Sequence, residues 1–177
     1  MTHTTTRLAL PSDAETIVAL SAQVQQHLTA SGSLQDIGPL KLETVLTAAH
    51  EKRVYVHEDA QTRETIGCAF VRPIDEHYFP PSSGADFDIT TLARPWQYVH
   101  TVMLRPEVQG RGLGRQFFTD VVELLRPCGG TILLDCWAGN DKLREFYAKC
   151  GCRFVATLRE EDYYIAVFVY ELAEGKG

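Results

Sequence analysis

Residues 102–114 read VMLRPEVQGRGLG, an apolar stretch that gives way to a glycine-rich turn. Pro106 has no N–H to contribute to a sheet, so a strand is expected to end at Leu104. Glycines at alternate positions let backbone N–H groups converge, and a helix that begins after them adds a partial positive charge. The glycines are Gly110, Gly112 and Gly114. The stretch therefore predicts a strand, an anion-binding turn and a helix in succession.

The turn is rich in positive charge although the chain is acidic. Arg105, Arg111 and Arg115 lie in or beside it, whereas the net charge of the 177 residues is −6. This contrast favours a local phosphate site. On the glycines alone, a plain strand-to-helix connection with solvated arginines remains an alternative.

Two familiar phosphate-binding loops can be compared with this turn. The P-loop pattern fails because no Gly-Lys-Ser/Thr follows the glycines. A dinucleotide fingerprint requires a third glycine where Arg115 stands, although Asp135 falls about where its ribose-binding acid would lie. A dinucleotide site therefore stays open as a weaker alternative.

Helices and strands alternate on both sides of the turn. Ser12 and Glu15 have the spacing of a capping box, which predicts the start of a first helix. Hydrophobic periodicity predicts the remaining elements. The predicted strands are 6–10, 54–56, 65–71, 97–104, 131–137, 153–158 and 164–170, and the predicted helices are 12–28, 40–51, 114–126 and 141–150. This order indicates a mixed α/β sheet.

The turn and a second segment together resemble one enzyme family. Gln109, Gly112 and Gly114 match the Gln/Arg-x-x-Gly-x-Gly/Ala loop that binds acetyl-coenzyme A in the GNAT superfamily of N-acetyltransferases. Asn140 and Tyr147, with a glycine four residues later, resemble the Asn-x6-Tyr-x3-Gly segment of the same superfamily. Two motifs at this separation are much more specific than either alone.

The resemblance extends over residues 97–171, with one departure. Cys152 stands where the family often has phenylalanine, and Phe154 follows two residues later. It implies a single GNAT-like domain over residues 1–177, of the α/β (α+β) class. The expected fold is a mixed, mostly antiparallel central sheet of about six or seven strands, flanked by about four helices.

The resemblance also implies a function. The expected enzyme transfers the acetyl group of acetyl-CoA directly to an amine of a small molecule or peptide. A non-catalytic module that binds or senses acetyl-CoA on the same fold is the alternative. The residues expected to bind the cofactor are Val102, Met103, Leu104, Gln109, Gly110, Arg111, Gly112, Leu113, Gly114, Arg115 and Asn140.

Two residues are expected to transfer protons. The resemblance implies that Tyr147 protonates the departing coenzyme A thiolate, although helical periodicity alone would make it a core tyrosine. Some relatives have glutamate at the position of Tyr98, and His100 lies two residues further on the same strand face. Imidazole titrates near neutrality, so His100 is a hypothesis for the base or for a water-orienting group. A purely structural histidine is the alternative.

The acceptor is expected to bind near the first helix and the irregular segment 73–95. This segment is longer than an ordinary structureless loop, which favours a functional role. It combines aromatic and acidic side chains that could hold a cationic, partly apolar amine, or could merely form a solvated loop. These residues are Tyr78, Phe79, Phe87, Asp75, Glu76, Asp86 and Asp88, and Trp137 and Asp135 are similarly ambiguous.

Composition excludes several other classes. The acidic charge disfavours nucleic acid as a partner, and the longest apolar runs fall short of the roughly 18 to 20 residues of a membrane helix. The N-terminus lacks the layout of a signal peptide, so the expected location is the cytoplasm. The five cysteines and six histidines show no zinc pattern, and no metal site is expected. The oligomeric state is open, with a homodimer among the states permitted.

Overall fold

The computed structural model describes residues 3–79 and 87–172. In these residues the chain forms seven strands and four α-helices. The strands are β1 (Thr4–Leu8), β2 (Val54–Asp59), β3 (Thr65–Pro73), β4 (Trp96–Leu104), β5 (Thr131–Trp137), β6 (Arg153–Glu160) and β7 (Tyr163–Glu171). The helices are α1 (Ala14–Ala30), α2 (Leu42–His50), α3 (Leu113–Leu125) and α4 (Asp141–Lys149).

The strands form one sheet in the order β1-β2-β3-β4-β5-β7-β6. The pairs β1–β2, β2–β3, β5–β7 and β6–β7 are antiparallel, and β4–β5 is parallel. The predicted mixed, mostly antiparallel sheet with about four helices is therefore confirmed. Every predicted element is present, most with slightly different ends. In the part of the chain that the structure describes, no helix combines the length and apolar character needed to cross a membrane.

The first of two compact units comprises residues 1–71 and 100–121. Its core is formed by apolar side chains of α1, α2, β2, β3 and the end of β4. The α1 residues Ile17, Leu20 and Val24 recur at helical spacing and are all buried, which places one face of the helix in this core. Burial of that face, rather than intrinsic helix propensity, supplies most of the stability of such a helix.

A buried polar network in this unit joins β1, β2 and α3. The Thr6 hydroxyl donates to Asp120 Oδ2 at 2.7 Å and lies 2.8 Å from His57 Nδ1. Because the hydroxyl proton goes to the carboxylate, His57 Nδ1 must carry the proton that it shares with Thr6. His57 is fully buried and stacks on Phe117, and no residue in the described ranges forms a hydrogen bond with its Nε2. Burial lowers the pKa of His57, so the neutral form is favoured.

The predicted capping box at Ser12 is wrong. A 3-10 turn over Pro11–Asp13 precedes α1, and no side chain caps the helix at Asp13. The Asp13 carboxylate instead accepts hydrogen bonds from the two terminal guanidinium nitrogens of Arg7, at 2.8 and 3.1 Å, and from the Leu10 N–H. Contact with β1 therefore outweighs the local capping pattern.

The second compact unit comprises residues 72–99 and 122–177. Strand β5 pairs with β7 along its whole length, from Thr131↔Glu171 to Trp137↔Ile165. The parallel pairing of β4 with β5 covers Trp96↔Thr131 to Tyr98↔Leu133. One core cluster of this unit includes Phe79, Trp96, Tyr98, Leu133 and Val167. The beginning of segment 73–95 thus contributes to a packed core.

Candidate active site

The glycine-rich turn follows β4 and lies in the first unit. A short 3-10 helix, Pro106–Val108, leads into it, and the Gln109 side chain donates to the Leu104 carbonyl oxygen at 3.0 Å. Gly110 and Gly112 have φ angles of +75° and +80°. A Cβ on either glycine would have no described atom within 4 Å. Backbone conformation rather than crowding therefore requires glycine here.

The first turn of α3 comes directly after Gly112. The Gly112 carbonyl accepts a hydrogen bond from the Gln116 N–H at 3.3 Å, which is the first such bond of the helix. The N–H groups of residues 113–115 therefore have no acceptor within the helix itself. Arg111 and Arg115 are exposed at this end. Arg105, in contrast, forms an ion pair with Glu64. Backbone donors, the helix dipole and two exposed guanidinium groups together favour an anion at this position.

Strand β4 carries a strained residue. Thr101 is β-branched and has a φ of +51° in the middle of the strand, a conformation that β-branched residues rarely adopt. Beyond it, Met103 is buried in the core while Val102 and Leu104 are half-buried. A Cβ on Gly67 of β3 would lie 2.7 Å from the Met103 carbonyl oxygen, so glycine permits this close approach.

His100 lies just before the strained residue. Its ring is half-buried, with its centroid 5.6 Å from that of Phe70, and its Nδ1 lies 3.0 Å from Thr101 Oγ1. Which partner donates in this contact depends on the tautomer. The predicted base is therefore held by side chains of the first unit.

Asn140 and Tyr147 belong to α4 in the second unit. Asn140 is the N-cap, and its Oδ1 accepts the Leu143 N–H at 3.0 Å. Tyr147 is 3% exposed, and its ring contacts those of Phe146 and Phe168. Burial, with the nearby Cys136 and Asp135, raises the pKa of Tyr147 well above its ordinary value. The hydroxyl is therefore protonated at neutral pH.

A buried carboxyl in the second unit was not assigned a catalytic role from the sequence. The Tyr98 hydroxyl donates to Asp135 Oδ2 at 2.6 Å. Burial raises the pKa of Asp135 to about 6, against the opposing effect of the Tyr98 hydrogen bond and with a contribution from Glu160. Burial and the neighbouring Asp135 also raise the pKa of Tyr98. An acid within the apolar strand TILLDCW was the available sequence signal.

The segment proposed to contact the acceptor divides into aromatic and acidic parts. The ring centroids of Tyr78 and Phe79 are 4.8 Å apart, and they lie 4.9 and 6.2 Å, respectively, from the ring centroid of Tyr98. Phe79 also contacts Phe87.

The acids of the segment make local contacts. Asp75 and Asp88 accept backbone N–H groups two residues ahead, and Glu76 pairs with Arg94 at 3.0 Å. Asp86 lies outside the described residues. Trp137 ends β5, two residues beyond Asp135. Among the residues described, no group of three or more His, Cys, Asp or Glu side chains could hold a metal ion.

The structure groups the predicted site residues by unit. His100, residues 102–104 and residues 109–115 lie in the first unit, where chain continuity brings them together. Asn140 and Tyr147 lie in the second unit, which also contains Tyr98 and Asp135.

A family model and a related protein of known name both match this chain as an acetyltransferase. Residues 23–152 match the model of the Acetyltransferase (GNAT) family. The chain is 28% identical over 140 residues to N-alpha-acetyltransferase RimI of Mycobacterium tuberculosis (strain ATCC 25618 / H37Rv), covering 75% of this chain and 87% of that protein.

Solved structures show the same fold. A GNAT-family acetyltransferase from Streptococcus agalactiae 2603 superposes with a TM-score of 0.76 at 16% identity, covering 95% of both chains. The yncA protein of Salmonella typhimurium, solved with its cofactor acetyl-CoA, gives a TM-score of 0.65 at 15% identity, covering 98% of this chain and 96% of the other. The family-model match confirms the resemblance carried by the sequence motifs, and the chain belongs to the GNAT family of acetyl-CoA-dependent acetyltransferases.

Proposed function

We propose that this chain transfers the acetyl group of acetyl-CoA directly to an amine of a small molecule or peptide, as one cytoplasmic domain. The observation that carries the proposal is the turn formed by Gly110 and Gly112 at the start of α3, with positive φ angles and exposed arginines beside it. The relative from Mycobacterium tuberculosis is named as an N-alpha-acetyltransferase, which supports an amine acceptor. A peptide α-amine is one acceptor of this class.

The residues present fit the donor's pyrophosphate. Backbone N–H groups of residues 110–114 are the proposed donors, and the side chains of Arg111 and Arg115 neutralise charge beside them. Gln109 holds the turn to the end of β4 through the Leu104 carbonyl. The backbone of Val102, Met103 and Leu104 is assigned to the pantetheine arm.

Acyl transfer needs stabilisation of the charge that develops on the carbonyl oxygen. When bound, acetyl-CoA supplies an activated thioester that an amine can attack. We assign the stabilising donor to a backbone N–H near Leu104, because a fixed donor costs no reorganisation during the reaction. Holding amine and thioester together supplies much of the remaining acceleration.

Tyr147 is the proposed general acid. A tyrosine hydroxyl is protonated at neutral pH, so Tyr147 has a proton to give to the leaving thiolate. Its ring packs against those of Phe146 and Phe168. Asn140 is assigned to the cofactor arm. Because its Oδ1 caps α4, its Nδ2 is the group proposed for that contact.

Two groups are candidates for accepting the amine proton. An alkylamine has a pKa of about 10.4 and must lose a proton before it attacks. His100 is one candidate, acting as a base or by orienting water. Asp135 is the other, since its pKa of about 6 makes it a stronger base than an ordinary carboxylate and leaves it ionised at neutral pH.

Incubation with acetyl-CoA and a panel of amines tests the proposal. The panel contains alkylamines, amino acids and peptides with free N-termini, and the readout is the acetylated product by mass spectrometry. Thiol release is a second readout, corrected for the exposed Cys128 of the protein itself. Acetylation of at least one amine is expected. Binding of acetyl-CoA without turnover on any amine would favour a non-catalytic module instead.

A further inference from the structure

Arg72 is an unusual arginine within the second unit. It is half-buried near the end of β3, and its guanidinium donates to the Tyr78 hydroxyl at 2.9 Å. Its Cζ lies 5.0 Å from the Tyr78 ring centroid and 5.6 Å from that of Tyr98. The guanidinium thus contacts two aromatic rings and one neutral oxygen.

No carboxylate neutralises this charge among the residues that the structure describes. The other described arginines without a carboxylate partner are exposed to solvent, namely Arg111, Arg115 and Arg159. The Arg72 Nε is buried, and none of the described residues forms a hydrogen bond with it. Partly buried charges are normally paired, because desolvation is costly without compensation. The unpaired guanidinium is thus suited to an anionic group of a ligand.

A carboxyl group, that of Asp135, contacts the same Tyr98 side chain from its hydroxyl end. The Tyr98 hydroxyl is hydrogen-bonded to Asp135, while the Tyr98 ring faces Arg72. Arg72 and Asp135 form no ion pair with each other, so neither charge neutralises the other. Because both contact one side chain, a small molecule can span them. Glu160 adds negative charge near Asp135.

We propose that the acceptor is an amino acid, whose amine is held by Asp135 and whose carboxylate is held by Arg72. A zwitterion neutralises both groups at once, whereas a simple alkylamine would leave Arg72 without a counter-charge. The rings of Tyr78 and Phe87 offer an apolar wall to its side chain. This assignment rests on the proposed acetyl transfer and narrows its acceptor from amines in general to amines that carry a carboxylate.

Matched acceptors test the assignment. Alanine, methionine and phenylalanine are each supplied as the free acid and as the carboxamide, which keeps the amine and removes the negative charge. The wild type is expected to favour the free acid by about 10- to 100-fold in kcat/KM, the range for a charge-assisted contact of about 1.5–3 kcal/mol. Equal rates on acid and carboxamide, or acetylation only of carboxamides and peptides, would overturn the assignment while leaving acetyl transfer intact.

Arg72→Met tests the residue itself. It should lower kcat/KM for the free acid at least 10-fold more than for the matched carboxamide, and Arg72→Lys should restore part of the loss. Arg153→Met, an exposed arginine paired with Glu171, is the control. Equal losses on both acceptors in Arg72→Met would indicate a merely structural role and overturn the assignment.

Calorimetric titration with the free amino acid separates this inference from the proposed function. The wild type should bind phenylalanine or methionine at least 10-fold more tightly than Arg72→Met, whether or not turnover follows. If binding follows this order but no amine is acetylated, the acetyl-transfer proposal fails and the amino-acid site stands. If no amino acid binds, the amino-acid site is refuted.

Discussion

Replacing Asp135 by asparagine is expected to stabilise the folded chain at neutral pH. Burial raises the pKa of this carboxyl from 3.8 to about 6, so its ionised form is less favourable in the folded state than in the unfolded state. Such a change corresponds to about 3 kcal/mol at neutral pH. Asparagine has the shape of the neutral acid and carries no charge to desolvate, and its amide oxygen can still accept from Tyr98.

The gain should depend on pH in a defined direction. Below pH 3.8 the carboxyl is protonated in both states and the penalty is absent. Between pH 3.8 and 6 the unfolded state loses its proton first, so the stability of the wild type falls as pH rises. Above pH 6 the penalty is complete. The stabilisation by Asp135→Asn should therefore be largest above pH 6 and vanish near pH 4.

Thermal and urea unfolding at pH 7.5 and pH 4 measure this difference. A gain of about 3 kcal/mol corresponds to a rise in Tm of roughly 6 to 12 °C for a chain of this size. Asp162→Asn, at an exposed position in the turn between β6 and β7, should change stability by less than about 0.5 kcal/mol. An Asp135→Asn protein that is less stable than the wild type at pH 7.5, or equally stabilised at both pH values, would refute the reasoning.

Three further outcomes are expected. If Asp135 accepts the amine proton, kcat/KM should rise with pH through about 6, and Asp135→Asn should abolish that inflection; an unchanged profile would favour another base. Gly112→Ala, at a φ of +80°, should weaken acetyl-CoA binding about 5- to 30-fold through strain of about 1–2 kcal/mol, whereas Gly32→Ala, at +79° and equally uncrowded, should lower stability alone. Because burial lowers the pKa of His57, the unfolding free energy should fall by up to about 1.4 kcal/mol for each pH unit below 6.5. In urea titrations, His57→Leu should make the unfolding free energy less dependent on pH. An equal pH dependence in both proteins would contradict the role of His57.

Local chemistry allowed most of the fold to be predicted. The missing N–H of Pro106 predicted the end of the strand, and the glycines after it predicted the turn. Both effects act within a few residues of the chain. Tyr147 was expected to point inward from its helical spacing, and it is buried. The catalytic and cofactor-binding roles of the site residues stay predictions.

Contacts between distant residues account for what the sequence could not predict. The Ser12 capping box failed because Arg7 draws Asp13 toward β1. Likewise, Arg72 and Asp135 are 63 positions apart in the sequence, and only folding brings them both against Tyr98. Sequence periodicity assigns residues to faces, but it does not pair side chains across strands.

The acid role of Tyr147 is tested most directly by Tyr147→Phe, with kcat measured at saturating acceptor and acetyl-CoA affinity measured by calorimetry. Removing the hydroxyl should lower kcat at least about 100-fold, the usual contribution of a general acid, and leave the Kd for acetyl-CoA within about 3-fold. Tyr164→Phe, at an exposed tyrosine of β7, should retain full activity. A Tyr147→Phe enzyme with wild-type kcat would contradict direct acetyl transfer assisted by this residue.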